Sequence, residues 1–167
     1  MNPNPNKKSF PERVEIVEVG PRDGLQNESE WVPTEMKIEL INRLADSGIR
    51  TIEAASFVSP KWIPQMKDSL EVMKGIQRNS WVRYPVLTPN LKGLDRAIEA
   101  GAEEVAVFAA ASEAFSQKNI NCSISESTER FRPLIHEAKV ARVTVRGYIS
   151  CVMGCPYQGE VDAETVA

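Results

Sequence analysis

Five short runs rich in β-branched residues recur along this chain, VEIVEV (14–19), TIEAASF (51–57), VRYPVLT (82–88), VAVFAA (105–110) and VTVRGYIS (143–150), and a helical pattern fills each interval between them. Nothing else in the sequence narrows the fold as much. A strand followed by a helix and a further strand pairs in parallel through a right-handed crossover. Repetition of that unit predicts an α/β fold with a parallel sheet. The first helix is expected in TEMKIELINRLADSG, where Ile38, Ile41 and Leu44 recur at helical spacing and Met36, Leu40 and Ala45 widen the stripe. Thr34 is its expected N-cap and Gly48 its C-terminal stop. Further helices are expected over 65–77, 91–100 and 125–141. The last is capped by Ser123 or Ser125 and buries Phe131, Leu134, Ile135 and Ala138. An internal echo supports the phasing: ADSGIRTIEA (45–54) and IEAGAEEVAVF (98–108) both run helix end, glycine, polar pair, strand.

Two architectures satisfy this order, an open doubly wound sheet and a (β/α)₈ barrel present in part. A doubly wound nucleotide binder is expected to carry G-x-G-x-x-G after its first strand, and GPRDGLQN occupies that place. At 167 residues the chain has room for one domain with a core. A net charge of −3 offers no basic surface for nucleic acid, so a small-molecule site is expected. Three cysteines without a secretory signal point to free thiols in a reducing compartment. The first thirteen residues, MNPNPNKKSFPER, are expected to form a disordered leader and are poor as a transit peptide, leaving 14–167 as the folded domain. No run approaches the eighteen apolar residues of a membrane span.

In either architecture the chemistry belongs at the C-terminal ends of the strands. Arg22, Asp23, Gln26 and Asn27 follow the first strand, and Glu53, Ser56 and Phe57 end the second. Thr88 and Asn90 follow the third, Ser112 and Glu113 the fourth, and Ser150, Cys151 and Tyr157 the fifth. Two readings of Arg22 and Asp23 stand side by side: a local ion pair in a turn, or an aspartate that holds a hard cation beside an arginine that stabilises negative charge on a carbonyl oxygen. Gly20, Pro21 and Gly24 break the alternation that would send the two side chains to opposite faces, which favours the second. Glu53, in an otherwise apolar strand, either points inward toward Arg22 or a metal-bound water, or outward against a helix lysine. His136 lies mid-helix without a second histidine and is assigned to the surface. Cys151 and Cys155 lack the spacing of a zinc site and are assigned as thiols near a strand end.

The segments VEIVEVGPRDGLQNE, TIEAASFVSPKWIPQM, YPVLTPNLKG, SEAFSQKNINCS and RGYISCVMGCPYQG, in this order, together resemble the N-terminal part of the hydroxymethylglutaryl-CoA lyase family. The resemblance implies a (β/α)₈ barrel that cleaves 3-hydroxy-3-methylglutaryl-CoA into acetyl-CoA and acetoacetate with Mg²⁺ or Mn²⁺. It assigns Asp23 to the metal, Arg22 to the thioester carbonyl and Glu53 to the active site on the second strand, with Gln26 beside Arg22 at the substrate. It also implies that the remaining metal ligands, a His-x-His pair and an asparagine, and a G-L-G-G-C-P-Y cysteine loop lie on later strands. The M-G-C-P-Y of residues 153–157 matches the family's segment after the fifth strand instead, so Cys155 is not assigned as the catalytic thiol. A complete barrel has eight strands and about 250 residues. The expectation is therefore an incomplete TIM-type barrel with about five of eight strands, weak or inactive alone. An acyl-CoA substrate and either a homo-oligomer or a complementing C-terminal portion are the expected partners. The expected location is the cytoplasm, or the mitochondrial matrix in a eukaryote. Two other functions remain on this reading: an acyl-CoA/2-oxo acid condensing enzyme of the isopropylmalate or homocitrate synthase type, and a non-catalytic half-barrel interaction module.

Overall fold

The computed structural model describes residues 11–167, so most of the expected leader, residues 1–10, lies outside the described residues. The strands are β1 (Val17–Glu18), β2 (Thr51–Ile52), β3 (Ala55–Ser56), β4 (Val86–Leu87), β5 (Glu104–Ala110) and β6 (Thr144–Ser150). The helices are α1 (Thr34–Asp46), α2 (Ser69–Gly75), α3 (Leu91–Glu99), α4 (Glu113–Ile120), α5 (Ile124–Val140) and a short α6 (Ala163–Val166). Every strand pairing is parallel. β1 pairs with β2, and β3, β4, β5 and β6 follow one another in a second ladder.

β2 and β3 are halves of one extended stretch. Glu53 N donates to Glu18 O at 2.8 Å, whereas Ile52 N and Ala54 N donate to Arg83 O and Pro85 O, both at 3.0 Å, so the stretch lies between its two neighbours and joins the two ladders. All five expected strand regions are present: the first three are shorter, β5 starts one residue earlier at Glu104, and β6 one residue later at Thr144. No closed barrel forms among the described residues, and the architecture is α/β with parallel strands, as in an incomplete TIM-type barrel.

The core lies between one face of the sheet and the helices. Ile52, Val86, Val105 and Val107 meet Ile41 and Ala45 of α1, Val72 and Met73 of α2, Leu94 and Ala97 of α3, and Leu134 and Ala138 of α5. Each large side chain buried here contributes about 1.5–3 kcal/mol. Strand alternation then sends Ala106 and Phe108 of β5 to the opposite face, in register with Arg146 and Tyr148 of β6. That second face carries the polar groups.

Three helix-to-strand corners share one device. Gly48 (φ 96°), Gly101 (φ 71°) and Arg142 (φ 59°) each stand in the left-handed region just past a helix. At the last two, Ala102 N reaches back to Ala97 O at 2.9 Å and Val143 N to Ala138 O at 2.8 Å, closing the helix end. The first two corners are the sequence echo, and the third makes the same turn without glycine.

The helices depart from expectation in three places. Thr34 does not cap α1. Pro33 occupies the cap position without a side-chain bond, and Thr34 Oγ1 donates instead to Asp68 Oδ2 at 2.8 Å. The stripe of α1 is centred on Lys37, Ile41 and Ala45, while Met36 is 59% exposed and Leu40 stands at the surface. Lys37 turns inward because its ammonium meets Asp68 Oδ1 at 2.6 Å and Gln65 O at 2.5 Å. The second helix begins later than expected, since a 3₁₀ turn at Pro64–Met66 precedes α2. Finally, SEAFSQKNI forms α4, capped by Ser112 through Phe115 N at 3.2 Å. α5 follows expectation closely, with Ser123 and Glu126 forming a reciprocal capping box.

Candidate active site

β1 ends in a π-helical turn at Gly20–Gly24, in which Val19 O accepts from Arg22 N at 3.1 Å and from Asp23 N at 2.6 Å. The turn cancels strand alternation, so the consecutive Arg22 and Asp23 side chains reach the same region. A Cβ at Gly20 would stand 2.8 Å from Glu18 Oε1, so a larger residue there would displace the carboxylate that accepts from the Gly20 N–H.

Glu53 points to this region and not to a helix lysine. Its side chain is fully buried, and both carboxylate oxygens are bonded from different elements. Arg22 Nε donates to Oε1, and Tyr148 Oη on β6 donates to Oε2 at 2.7 Å. A buried carboxylate is tolerated only with such partners. Burial, then the hydrogen bond to Glu53 and its negative charge, push the Tyr148 phenol well above its ordinary value, so it remains a proton donor. Arg22 spends a second donor, Nη1, on Asp23 Oδ1 at 2.7 Å. Its remaining N–H groups stay available to a ligand.

Above this triad opens a cleft of about 490 Å³, lined among others by Arg22, Asp23, Gln26, Phe108, Phe115 and Tyr148. That volume suits a small molecule. Asp23 stands half-exposed at the mouth. Gln26 Oε1 is buried with no hydrogen-bond partner, an acceptor that costs about 1–3 kcal/mol until something meets it. Among the described residues no group of three or more His, Cys, Asp or Glu side chains converges as a complete metal shell. The carboxylate of Asp23 and the carbonyl of Gln26 are hard oxygen donors. They fit part of the shell of a magnesium-like cation and do not fit a soft metal.

Most other strand-end residues have local duties. Asn90 Oδ1 caps α3 through Gly93 N at 3.0 Å, and the Glu113 carboxylate accepts from Ile124 N at 3.1 Å. Phe57 lies beneath the Arg96 guanidinium. Ser56 and Thr88 are buried with unpartnered hydroxyls. Ser150 lines the cleft, whereas Ser112, Cys151 and Tyr157 belong to a neighbouring loop cluster. His136 is exposed on α5.

Tyr148 lies inside a strand, where the residues that follow strand ends do not point to it. The signal was its place two residues from Arg146 on the same face of β6. A second unforeseen network sits at the other end of the strands, where Arg146 Nε meets Glu104 Oε1 at 2.8 Å and Arg83 bonds Glu15.

Known proteins resemble this chain over most of its length. The HMGL-like family model matches residues 13–167. The mitochondrial hydroxymethylglutaryl-CoA lyase of Gallus gallus is 60% identical over 159 residues, 95% of this chain and 53% of that protein. The cytoplasmic 3-hydroxy-3-methylglutaryl-CoA lyase of Mus musculus is 60% identical over 157 residues, 94% of this chain and 46% of that protein. Among solved structures, hydroxymethylglutaryl-CoA lyase from Pseudomonas aeruginosa superposes with a TM-score of 0.91 at 58% identity, covering 93% of this chain and 52% of that one. An HMG-CoA lyase from Acinetobacter baumannii in complex with coenzyme A and 3-methylmalate gives a TM-score of 0.86 at 40% identity, covering 92% and 50%. The chain thus spans about half the length of the curated relatives it matches. Among the described residues no helix is long and apolar enough to cross a membrane. With a family model covering it from residue 13 onward and relatives of this identity, the chain belongs to the HMGL-like family.

Proposed function

We propose that residues 14–167 form the N-terminal part of the catalytic domain of a hydroxymethylglutaryl-CoA lyase, which cleaves 3-hydroxy-3-methylglutaryl-CoA into acetyl-CoA and acetoacetate. The observation that carries this reading is the buried Glu53, clamped by Arg22 and Tyr148 directly beneath a cleft that also holds Asp23 and Gln26. The 57–60% identity to lyases supports it.

In the reaction the substrate's tertiary hydroxyl loses its proton and the adjacent carbon–carbon bond breaks. The electron pair passes into the thioester fragment, which leaves as an enolate and is protonated to acetyl-CoA. Glu53 and Tyr148 fix the Arg22 guanidinium, whose uncommitted N–H groups face the cleft and stabilise that enolate oxygen. One such donor is worth about 3–4 kcal/mol of barrier. The family is divalent-metal dependent. Asp23, with Gln26 beside it, is this chain's contribution to holding Mg²⁺ or Mn²⁺, which when bound polarises the substrate's oxygens. The other ligands come from a complementing portion or a partner copy. Three free thiols suit a reducing compartment, the cytoplasm or the mitochondrial matrix.

The test is acetoacetate production from 3-hydroxy-3-methylglutaryl-CoA at saturating Mg²⁺. The 167-residue chain alone is expected to show little turnover. In a full-length protein containing it, Arg22→Gln is expected to lower kcat by about 10²–10³. Full turnover by the isolated chain, or an indifferent Arg22→Gln, refutes the assignment. Assay with acetyl-CoA and 2-oxo acids separates the lyase from a condensing enzyme.

A further inference from the structure

A second cluster of reactive side chains lies beside the cleft and takes no part in the lyase chemistry. Cys151 follows β6 in the left-handed conformation, φ 64°, unusual for a residue with a side chain. Gly154 N donates back to Cys151 O at 3.3 Å, and Cys155 exchanges two backbone hydrogen bonds with Gly159, at 2.7 and 2.9 Å. The loop therefore doubles back on itself, and the two cysteines, four positions apart on its opening turn, lie close enough for each thiol to act on the other. Their environments differ. Cys155 is 6% exposed, with Ser112 Oγ at 2.9 Å and Tyr157 N at 3.4 Å from its sulfur. Cys151 is half-buried.

The Ser112 hydroxyl has one proton and two acceptors within reach, Cys155 Sγ and Gln158 Oε1 at 2.8 Å. Bonded to Gln158 it accepts from a neutral Cys155 thiol. Rotated, it donates to a Cys155 thiolate. Burial pushes the Cys155 thiol up, but the Ser112 hydroxyl, the Tyr157 and Gln158 backbone amides and the Cys151 thiol outweigh it and hold it below the ordinary cysteine value. Burial, then the negative charge and hydrogen bond of Cys155, push Cys151 up.

We propose that Cys155 and Cys151 form a reversible oxidation site for a small hydroperoxide, Cys155 being the attacking sulfur and Cys151 the resolving one. The burial of Cys155 sets the size of the oxidant: hydrogen peroxide reaches it and a bulky disulfide does not. The Cys155 thiolate attacks one peroxide oxygen, a sulfur–oxygen bond forms, the oxygen–oxygen bond breaks, and hydroxide leaves to be protonated to water. The Cys151 sulfur then attacks the resulting sulfenic acid. A disulfide forms, the sulfur–oxygen bond breaks, and the hydroxyl departs as a second water with the Cys151 proton. The two sulfurs give up two electrons and the peroxide receives them. Ile149 and Ser150 line the cleft just before this loop, and Tyr157 packs on Phe115 of the cleft wall, so the disulfide fixes the loop against the mouth.

Both cysteines fall in one tryptic fragment, Gly147–Ala167. The chain, reduced and freed of reductant, is exposed to hydrogen peroxide, alkylated with iodoacetamide in urea, digested without reduction and weighed by mass spectrometry. The expected fragment has lost two hydrogens and carries no alkyl group, and dithiothreitol before alkylation restores two. In Cys151→Ser, dimedone added with urea after the peroxide is removed by catalase is expected to trap a sulfenic acid on Cys155, whereas Cys155→Ser leaves Cys151 unlabelled at the same dose. Ser112→Ala is expected to slow the reaction severalfold and Cys122→Ser to leave it unchanged. A doubly alkylated fragment after peroxide, or equal labelling of Cys151 in Cys155→Ser, overturns the proposal. These readouts do not depend on lyase turnover.

Discussion

Tyr148→Phe removes one hydroxyl and nothing else, and the hydroxyl it removes is one of two donors to a fully buried carboxylate. A hydrogen bond to a charged group contributes about 1.5–3 kcal/mol, against about 0.5–1.5 kcal/mol for a neutral one. The ring keeps its place opposite Phe108 in the strand register, so the expected loss of stability is about 1.5–3 kcal/mol. For a chain of this size that corresponds to a fall in Tm of about 3–12 °C. The charge on Glu53 is responsible for the upper part of that range. In a Glu53→Gln background the same substitution is expected to cost at least about 1 kcal/mol less. Urea denaturation of the four proteins, followed by circular dichroism, measures the cycle. Equal costs in the two backgrounds, or a cost under about 0.5 kcal/mol with Glu53 intact, would show that the hydroxyl does not bond an ionised carboxylate. The pH dependence has a definite sign. The Tyr148 phenol is raised in the folded chain, so its contribution is complete below its ordinary value of 10.0 and declines as pH rises above it. Tyr148→Phe should abolish that alkaline decline.

Lys37→Met leaves Asp68 buried without its cation and is expected to cost about 3–5 kcal/mol, while the double variant Lys37→Met/Asp68→Leu recovers most of it; chemical denaturation distinguishes the two. Leu94, wholly buried on α3, is expected to lose about 2–5 kcal/mol on substitution by alanine, read as a lower denaturation midpoint. Ser123→Ala breaks the capping box of α5 and is expected to cost about 1 kcal/mol. Hydrogen bonds from the Ser123 backbone and side chain hold the Glu126 carboxyl below its ordinary 4.5, so the stability linked to it is present above that pH and lost as pH falls through the lowered value. Stability measured from pH 6 to 3 should lose the side-chain part of this acid sensitivity in Ser123→Ala, whose backbone N–H keeps the rest, and all of it in Glu126→Gln.

The order of strands and helices was legible because it rests on local patterns, β-branched runs at one period and apolar stripes at another. The left-handed corners at Gly48 and Gly101 were legible for the same reason, since the residue type reports the dihedral. Where a side chain takes its orientation from a partner far along the chain, the pattern failed. Lys37 looks like a solvent-facing residue until Asp68, thirty-one positions on, draws it inward. Tyr148 looks like an ordinary strand residue until Glu53, ninety-five positions away, is placed opposite it. α4 carries no periodic signal because its apolar residues are too few to form a stripe, and Ser112 starts it by capping. Arg22, Asp23 and Gln26 were found by position alone: a strand that breaks its alternation at Gly20 and Pro21 announces a change of direction, and polar residues there share one rim.

Arg142 is instructive at the third helix-to-strand corner. It adopts the dihedral that glycine supplies at the other two, which shows that the joint selects the sign of one torsion angle and is indifferent to what hangs from it. A mirror-image amino acid favours that sign without strain. Chemical synthesis placing D-arginine at position 142 should therefore give a backbone more at ease than the natural one, a stereochemical inversion at a single carbon that leaves the path of the polypeptide untouched.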